Sequence, residues 1–233
     1  MKRLFTLLLA AFCFLVSSAQ QDVKLRRKDR KRDIEFRTTE GTILLRLSDS
    51  TPLHRDNFLR LVKSGYFDSL LFHRVIHNFM IQGGDPNSRR AAAGLPLGNG
   101  GPGYTIPAEF RPTLFHRKGV LAAARTGDAQ NPEKRSSASQ FYIVQGRPFT
   151  DAELDSVERV RLNGYKLPPA HREVYRTVGG TPQLDQGYTV FGHVVRGLDV
   201  VDRIADTPTS RGPDRDRPLK DMRILKARLV KRR

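Results

Sequence analysis

The stretch FHRVIHNFMIQGGD, residues 72–85, sets polar side chains, among them His73, Arg74, His77 and Gln82, between aromatic and aliphatic ones. His73 and His77 are four apart, the separation of a zinc pair on a helix, but H-E-x-x-H needs glutamate after the first histidine and Arg74 stands there. Val75, Ile76 and the neighbouring aromatics favour a strand, on which four residues span about 13 Å, too far for two ligands of one ion. Structural histidines and no metal are expected. The run holds no nucleophile and no acid–base pair before Asp85, and no G-x-S-x-G elbow occurs anywhere in the chain. Gly98, Gly100 and Gly103 match G-x-G-x-x-G, yet Pro102 interrupts the motif and Tyr-Thr-Ile-Pro follows it. A dinucleotide site needs a helix N-terminus at that point, so no cofactor is expected.

The elements that must position these residues are mostly short strands. IEFRTTEGTILLRL (34–47) reads as two strands about a Thr-Glu-Gly turn. Thr51 suits an N-cap and Pro52 a first helical position, and Leu53, Phe58, Leu61 and Val62 approximate one face, predicting a helix over 52–63. Strands are expected over 70–83, 119–124, 139–146, 188–195 and about 221–230, with a short helix at 197–206. On one strand, 74 and 82 are an even number apart and would face the same side. Two helices, many strands and no βαβ rhythm predict a mainly β fold, a closed eight-stranded antiparallel barrel capped by two α-helices. Residues of about 147–180 break the pattern. Thr150-Asp151-Ala152-Glu153 is a capping box opening a helix through about Asn163, and Pro168-Pro169 opens another that stops at Gly179-Gly180. This predicts a helical insertion in one barrel loop.

The ends carry different information. Lys2-Arg3, an apolar run from Leu4 to Val16 and Ser17-Ser18-Ala19 form a signal-peptide pattern, predicting cleavage after Ala19 and export to the periplasm or beyond. Cys13, the only cysteine, lies inside that segment and follows Phe12 rather than a small residue, so neither a lipid anchor nor a disulfide is expected in the mature chain. Residues 20–33, rich in Lys and Arg, read as a disordered basic linker, with the ordered domain over 34–233. The net charge of +17 draws the surface to anions. It collects at the two ends, without an aromatic stripe, so weak contact with anionic membrane is expected rather than nucleic-acid binding.

FHRVIHNFMIQGGD, then GGPGYTIPAEF (100–110), GVLAAARTGD (119–128), SASQFYIV (137–144) and LDQGYTVFGHVV (184–195) resemble, in order, the signature segments of the cyclophilin-type peptidyl-prolyl isomerases. The resemblance runs from about Ile34 to Val230, outside the signal peptide, the linker and the 147–180 insertion. It implies that Arg74 is the catalytic arginine and Gln82 the residue that holds it. It implies a proline pocket of Phe79, Met80, Tyr142 and Leu184 with Ile76 nearby, and a place for substrate backbone at Ala124-Arg125. Gln140 would be a further polar contact, and His73 a structural neighbour of the arginine. Gln183 stands where many members carry tryptophan, Tyr188 where histidine is common, and Arg125 where asparagine is frequent. The first departure tells against binding of the family's cyclic-peptide inhibitor.

The implied reaction explains the missing nucleophile. Prolyl isomerisation is rotation about C–N against a barrier of about 18–20 kcal/mol, the lost amide resonance, and nothing is transferred. An arginine serves as a permanently charged donor needing no proton transfer. Proline-containing polypeptides are the expected partners of a monomeric enzyme. The rival reading is a module or holdase that grips such segments without turning them.

Overall fold

In the computed structural model, which describes residues 23–232, eight short strands form one curled sheet. Its strands are β1 (Arg32–Thr38), β2 (Gly41–Leu47), β3 (Phe72–Ile76), β4 (Met80–Gly83), β6 (Val120–Ala123), β8 (Phe141–Val144), β9 (Val190–Arg196) and β10 (Ile224–Lys231). They run in the order β10-β1-β2-β9-β6-β8-β4-β3, every pair antiparallel. β5 (Thr105–Ile106) and β7 (Ser136–Ser137) form a separate small ladder. Helices α1 (Pro52–Lys63) and α4 (Leu198–Ala205) pack on the sheet, and α2 (Asp151–Val160) and α3 (Pro169–Thr177) make up the insertion.

The expected closed barrel is here an eight-stranded half-barrel. Its edge strands β3 and β10 meet at one bridge, Leu71 with Arg223, flanked by Phe72 N–H to Met222 O and Ile224 N–H to Leu70 O, both 2.8 Å. Further along, the C-terminal loop replaces β10 as the neighbour of β3: Val75 N–H donates to Asp216 O at 2.8 Å. That loop satisfies an edge that a ladder would otherwise have to close.

Inside the curl lie Ile34, Phe36, Leu45, Ile81, Leu121, Phe141 and Ile143, covered by Phe58 and Val62 of α1 and Val201 and Ile204 of α4. Phe36, Phe58, Phe67 and Phe141 form an aromatic centre with ring centroids 4.7 to 6.2 Å apart. α1 spans the predicted residues, but Thr51 makes no side-chain cap. Glu109 does that work from across the chain, accepting from Leu53 N–H (3.2 Å) and His54 N–H (2.9 Å).

The signal-peptide pattern at 1–19 lies outside the described residues. The segment 20–33 is not a free linker over its described part. Leu25 packs on the core, Asp29–Lys31 is a 3-10 turn, and β1 already begins at Arg32. Acidic partners fix the cations: Arg30 pairs with Asp56 at 2.7 Å, and buried Asp33 takes Arg46 at 2.8 Å. Composition hid this because the pairing partners sit in α1 and β2.

In the insertion, Thr150 and Glu153 form the predicted capping box. α2 stops at Val160, before the expected end near Asn163, which adopts φ 51° in the turn that follows. Leu154, Leu167 and Tyr175 make a small core of their own against Phe115, Phe149 and Leu162.

Candidate active site

β6 and β8 are apolar on both faces, β4 is so but for Gln82, and the outer face is where the predicted residues gather. Alternation sends Ile81, Leu121, Phe141 and Ile143 inward. It sends Met80, Val120, Ala122, Tyr142 and Val144 outward, into a second cluster with Phe79, Ala124, Leu184 and Tyr188. Over this cluster opens a cleft of about 320 Å³ lined by Phe79, Met80, Tyr142, Leu184, Tyr188 and Ala124, with His73, Arg74, Gln82 and Arg125 on its polar side.

Arg74 and Gln82 face the cleft together for a different reason from the one parity suggests. Residues 72–83 are a hairpin turning at Asn78, φ 60°, and Arg74 is the direct cross-strand partner of Gln82. Arg74 Nη1 donates to Gln82 Oε1 at 3.4 Å. Gln82 Nε2 donates to Gln140 Oε1 at 3.2 Å, and Gln140 Nε2 donates to the carbonyls of Gly98 and Gly100, each at 2.8 Å. The guanidinium is thus the free end of an amide chain anchored in the 98–100 loop. On its other side Nε lies 3.5 Å from Asp216 Oδ2.

The loop itself is tied down by Asp85. Its Oδ2 accepts Gly98 N–H at 2.5 Å and Gly100 N–H at 3.3 Å. The glycine motif therefore presents its amides to a carboxylate of this chain. Gly84 brings Asp85 into place at φ 95°, where a Cβ would stand 2.0 Å from Ser139 O.

His73 is 3 % exposed, and neither ring nitrogen has a hydrogen-bond partner. Burial pushes its pKa down to about 4, so the imidazole is neutral at ordinary pH. His77 lies in the hairpin turn, exposed, with Nδ1 2.9 Å from Asp206 Oδ1. The two histidines therefore have separate surroundings, one in the cleft and one against the end of α4.

Arg125 is held by its own neighbourhood. Its Nε donates to Gly187 O at 2.7 Å, Nη1 pairs with Asp128 at 2.6 Å, and the guanidinium carbon lies 4.5 Å from the centroid of Tyr188. Ala124 uses its N–H toward Gln140 O (3.0 Å) and its carbonyl toward Ser137 N–H (2.8 Å). Among the described residues the next peptide group, that of Arg125, has no backbone partner. Ile76 packs beneath the cleft opposite Met80 rather than lining it. Gln140 belongs to the amide chain and to a wider neighbouring groove of about 700 Å³. Gln183 lies outside the cleft, in a third groove of about 350 Å³ that it shares with Arg161 and Tyr165 of the insertion.

Sequence reasoning missed Asp216, Asp85, Leu97 and Asn99, all of which border or brace the cleft. It also missed His116, whose Nε2 lies 3.0 Å from the Tyr142 hydroxyl behind the cleft wall. No local pattern marks them, because each acts across a turn or between distant segments.

Residues 33–229 match the family model of the cyclophilin type peptidyl-prolyl cis-trans isomerases. The chain is 34 % identical over 212 residues to a Staphylococcus saprophyticus protein named as a peptidyl-prolyl cis-trans isomerase, covering 90 % of this chain and 92 % of that one. A Streptococcus pyogenes protein named as a bifunctional phosphatase/peptidyl-prolyl cis-trans isomerase is 36 % identical over 199 residues, 82 % of this chain and 37 % of its own. In fold, the chain is similar to a Cryptosporidium parvum cyclophilin (TM-score 0.61, 22 % identity, 87 % of this chain and 99 % of that one). A crystal structure of the same protein with the dipeptide Ala-Pro gives a TM-score of 0.60 at 22 % identity, over 86 % of this chain and 99 % of that one. An outward apolar cleft with an arginine on its rim, on a curled eight-stranded sheet, agrees with those matches: the chain belongs to the cyclophilin-type peptidyl-prolyl cis-trans isomerases.

Proposed function

We propose that this isomerase is exported and works as a monomer on X-Pro bonds of other exported proteins, in the periplasm of a double-membrane cell. The N-terminal charged, apolar and small-residue pattern supports export. The observation that carries the site assignment is the placing of Arg74, held by Gln82 at 3.4 Å, beside an apolar slot of Phe79, Met80, Tyr142 and Leu184.

In this reading the slot takes the pyrrolidine ring, and the flanking chain pairs with the unused peptide group of Arg125. As the C–N bond twists, the amide loses resonance and its nitrogen regains a lone pair. The Arg74 guanidinium donates toward that nitrogen in the twisted state. It is already fixed by Gln82 and Asp216, so little reorganisation accompanies the rotation. Arg74→Ala is expected to lower kcat/KM for a proline peptide about 100-fold or more with an unchanged circular dichroism spectrum. Wild-type turnover in that variant would remove Arg74 from the mechanism.

The insertion adds a wall to the groove beyond Tyr188. There Arg125 and Asp128 pair with each other, and Asp185 is buried. Among the described residues Lys134 and Arg161 have no carboxylate partner, which suits clients with an acidic side chain near the proline.

A further inference from the structure

Tyr142 and the insertion are joined by a buried chain of side-chain hydrogen bonds. Tyr142 forms the wall of the cleft with its ring, while its hydroxyl points away from it, 3.0 Å from His116 Nε2. His116 Nδ1 lies 2.9 Å from Asp185 Oδ1, which also accepts the His116 backbone N–H at 2.9 Å. Asp185 Oδ2 accepts the hydroxyl of Tyr175, on α3, at 2.7 Å. All four residues are buried, Tyr175 completely.

The proton order along this chain follows from its ends. The Asp185 carboxylate is an acceptor, so His116 Nδ1 is placed to donate to it and Nε2 to accept from the Tyr142 hydroxyl. Burial raises the pKa of both tyrosines, which keeps their hydroxyls as donors. Every side-chain polar atom of the chain then has a partner, Asp185 Oδ1 having two. Asp185 directly follows Leu184, so the carboxylate that orients His116 also fixes the opposite wall of the slot. The insertion is knitted in at the same place, with Thr181 N–H to His116 O at 2.8 Å and Gly180 bridged to both Arg117 and Arg147.

We propose that Tyr175, Asp185 and His116 are positioning residues through which the insertion sets Tyr142 and Leu184, and with them the fit of the substrate proline. This rests on the reading of the slot as the prolyl site. It makes the insertion part of the catalytic apparatus without any contact between α3 and substrate.

The test is a double-mutant cycle on the full chain, with Tyr175→Phe, Tyr142→Phe and both together, each assayed for kcat and KM on a proline peptide and for its melting temperature. Tyr175→Phe removes one oxygen and leaves the ring. It is expected to lower kcat/KM about threefold to tenfold, mainly through KM, and to have no further effect in the Tyr142→Phe background. A lower melting temperature with unchanged kcat and KM, or effects that multiply in the double variant, would overturn the proposal. Should Tyr175→Phe fail to fold, His116→Asn decides. Its amide reaches the Nδ1 position and keeps the bond to Asp185 while losing Tyr142, so it should reproduce Tyr142→Phe, and wild-type kinetics would overturn the proposal. Peptide dissociation constants from calorimetry on the same variants separate the two readings. A wild type that binds without turnover overturns the isomerase assignment and leaves the cycle in Kd to judge the coupling. A wild type that does neither overturns both.

Discussion

Arg74 and Asp216 lie 3.5 Å apart, although 142 positions (216 − 74) separate them in the chain. The pair is partly exposed, and its acidic member comes from a loop rather than from the sheet. Such a contact is worth about 0.2–1 kcal/mol, enough to bias where a long side chain points. Asp216→Ala is expected to reduce kcat/KM about twofold to fivefold while leaving the melting temperature within a degree or two. Steady-state kinetics with a proline peptide check this, and an effect as large as that of Arg74→Ala would assign Asp216 a direct role.

His73 gives the protein an acid sensitivity of definite sign. Its folded pKa of about 4 lies below the ordinary histidine value of 6.5, so between those values the unfolded chain binds the extra proton. Stability is therefore full above the unfolded pKa and falls as pH drops from about 6.5 toward about 4, by roughly 3 kcal/mol at most for this group. His73→Leu should flatten that part of the profile. Urea unfolding at pH 7 and pH 4.5 on both proteins would show it, and parallel profiles would refute it.

Gly84 permits the approach of Asp85 to the 98–100 loop. Ala there meets Ser139 O at 2.0 Å with φ at 95°, and a cost of roughly 2–3 kcal/mol or more is expected. The displacement would reach Gln140 and through it Gln82, so activity should fall along with the denaturation midpoint. An unaltered midpoint would show that the turn relaxes freely.

Arg161 tests the reading of the third groove. Arg161→Glu should reverse any preference for an acidic residue near the proline, changing the ratio of kcat/KM for acidic over neutral peptides about threefold or more, with the difference shrinking in high salt. Identical peptide profiles in wild type and variant would exclude that wall from recognition.

Much of this was legible in the sequence because strands and the cleft-lining residues of one hairpin leave local patterns. Short runs of β-branched and aromatic residues marked β1, β2, β8 and β9, Pro52 marked the start of α1, and Thr150-Asp151-Ala152-Glu153 marked α2. Arg74, Gln82, Phe79 and Met80 occupy one hairpin, so with His73 a single quoted segment carried five of the thirteen residues that line the cleft. What was hidden depends on distant pairing. Asp29 and Asp33 order a segment whose composition reads as unfolded, because Lys63 and Arg46 come from elsewhere. Glu109 caps α1 from 56 positions away. The parity argument for residues 74 and 82 reached the right face by the wrong route, since no turn signal announced Asn78 at φ 60°.

The sheet backbone stands between two apolar assemblies, one centred on Phe36 and Phe141 and the other on Met80 and Tyr142. Neighbouring residues of the same strand therefore answer to different masters. Phe141 packs in the core, while Tyr142 lines the cleft. Replacing every second residue of these strands would reshape the cleft while the intervening side chains kept their places in the core.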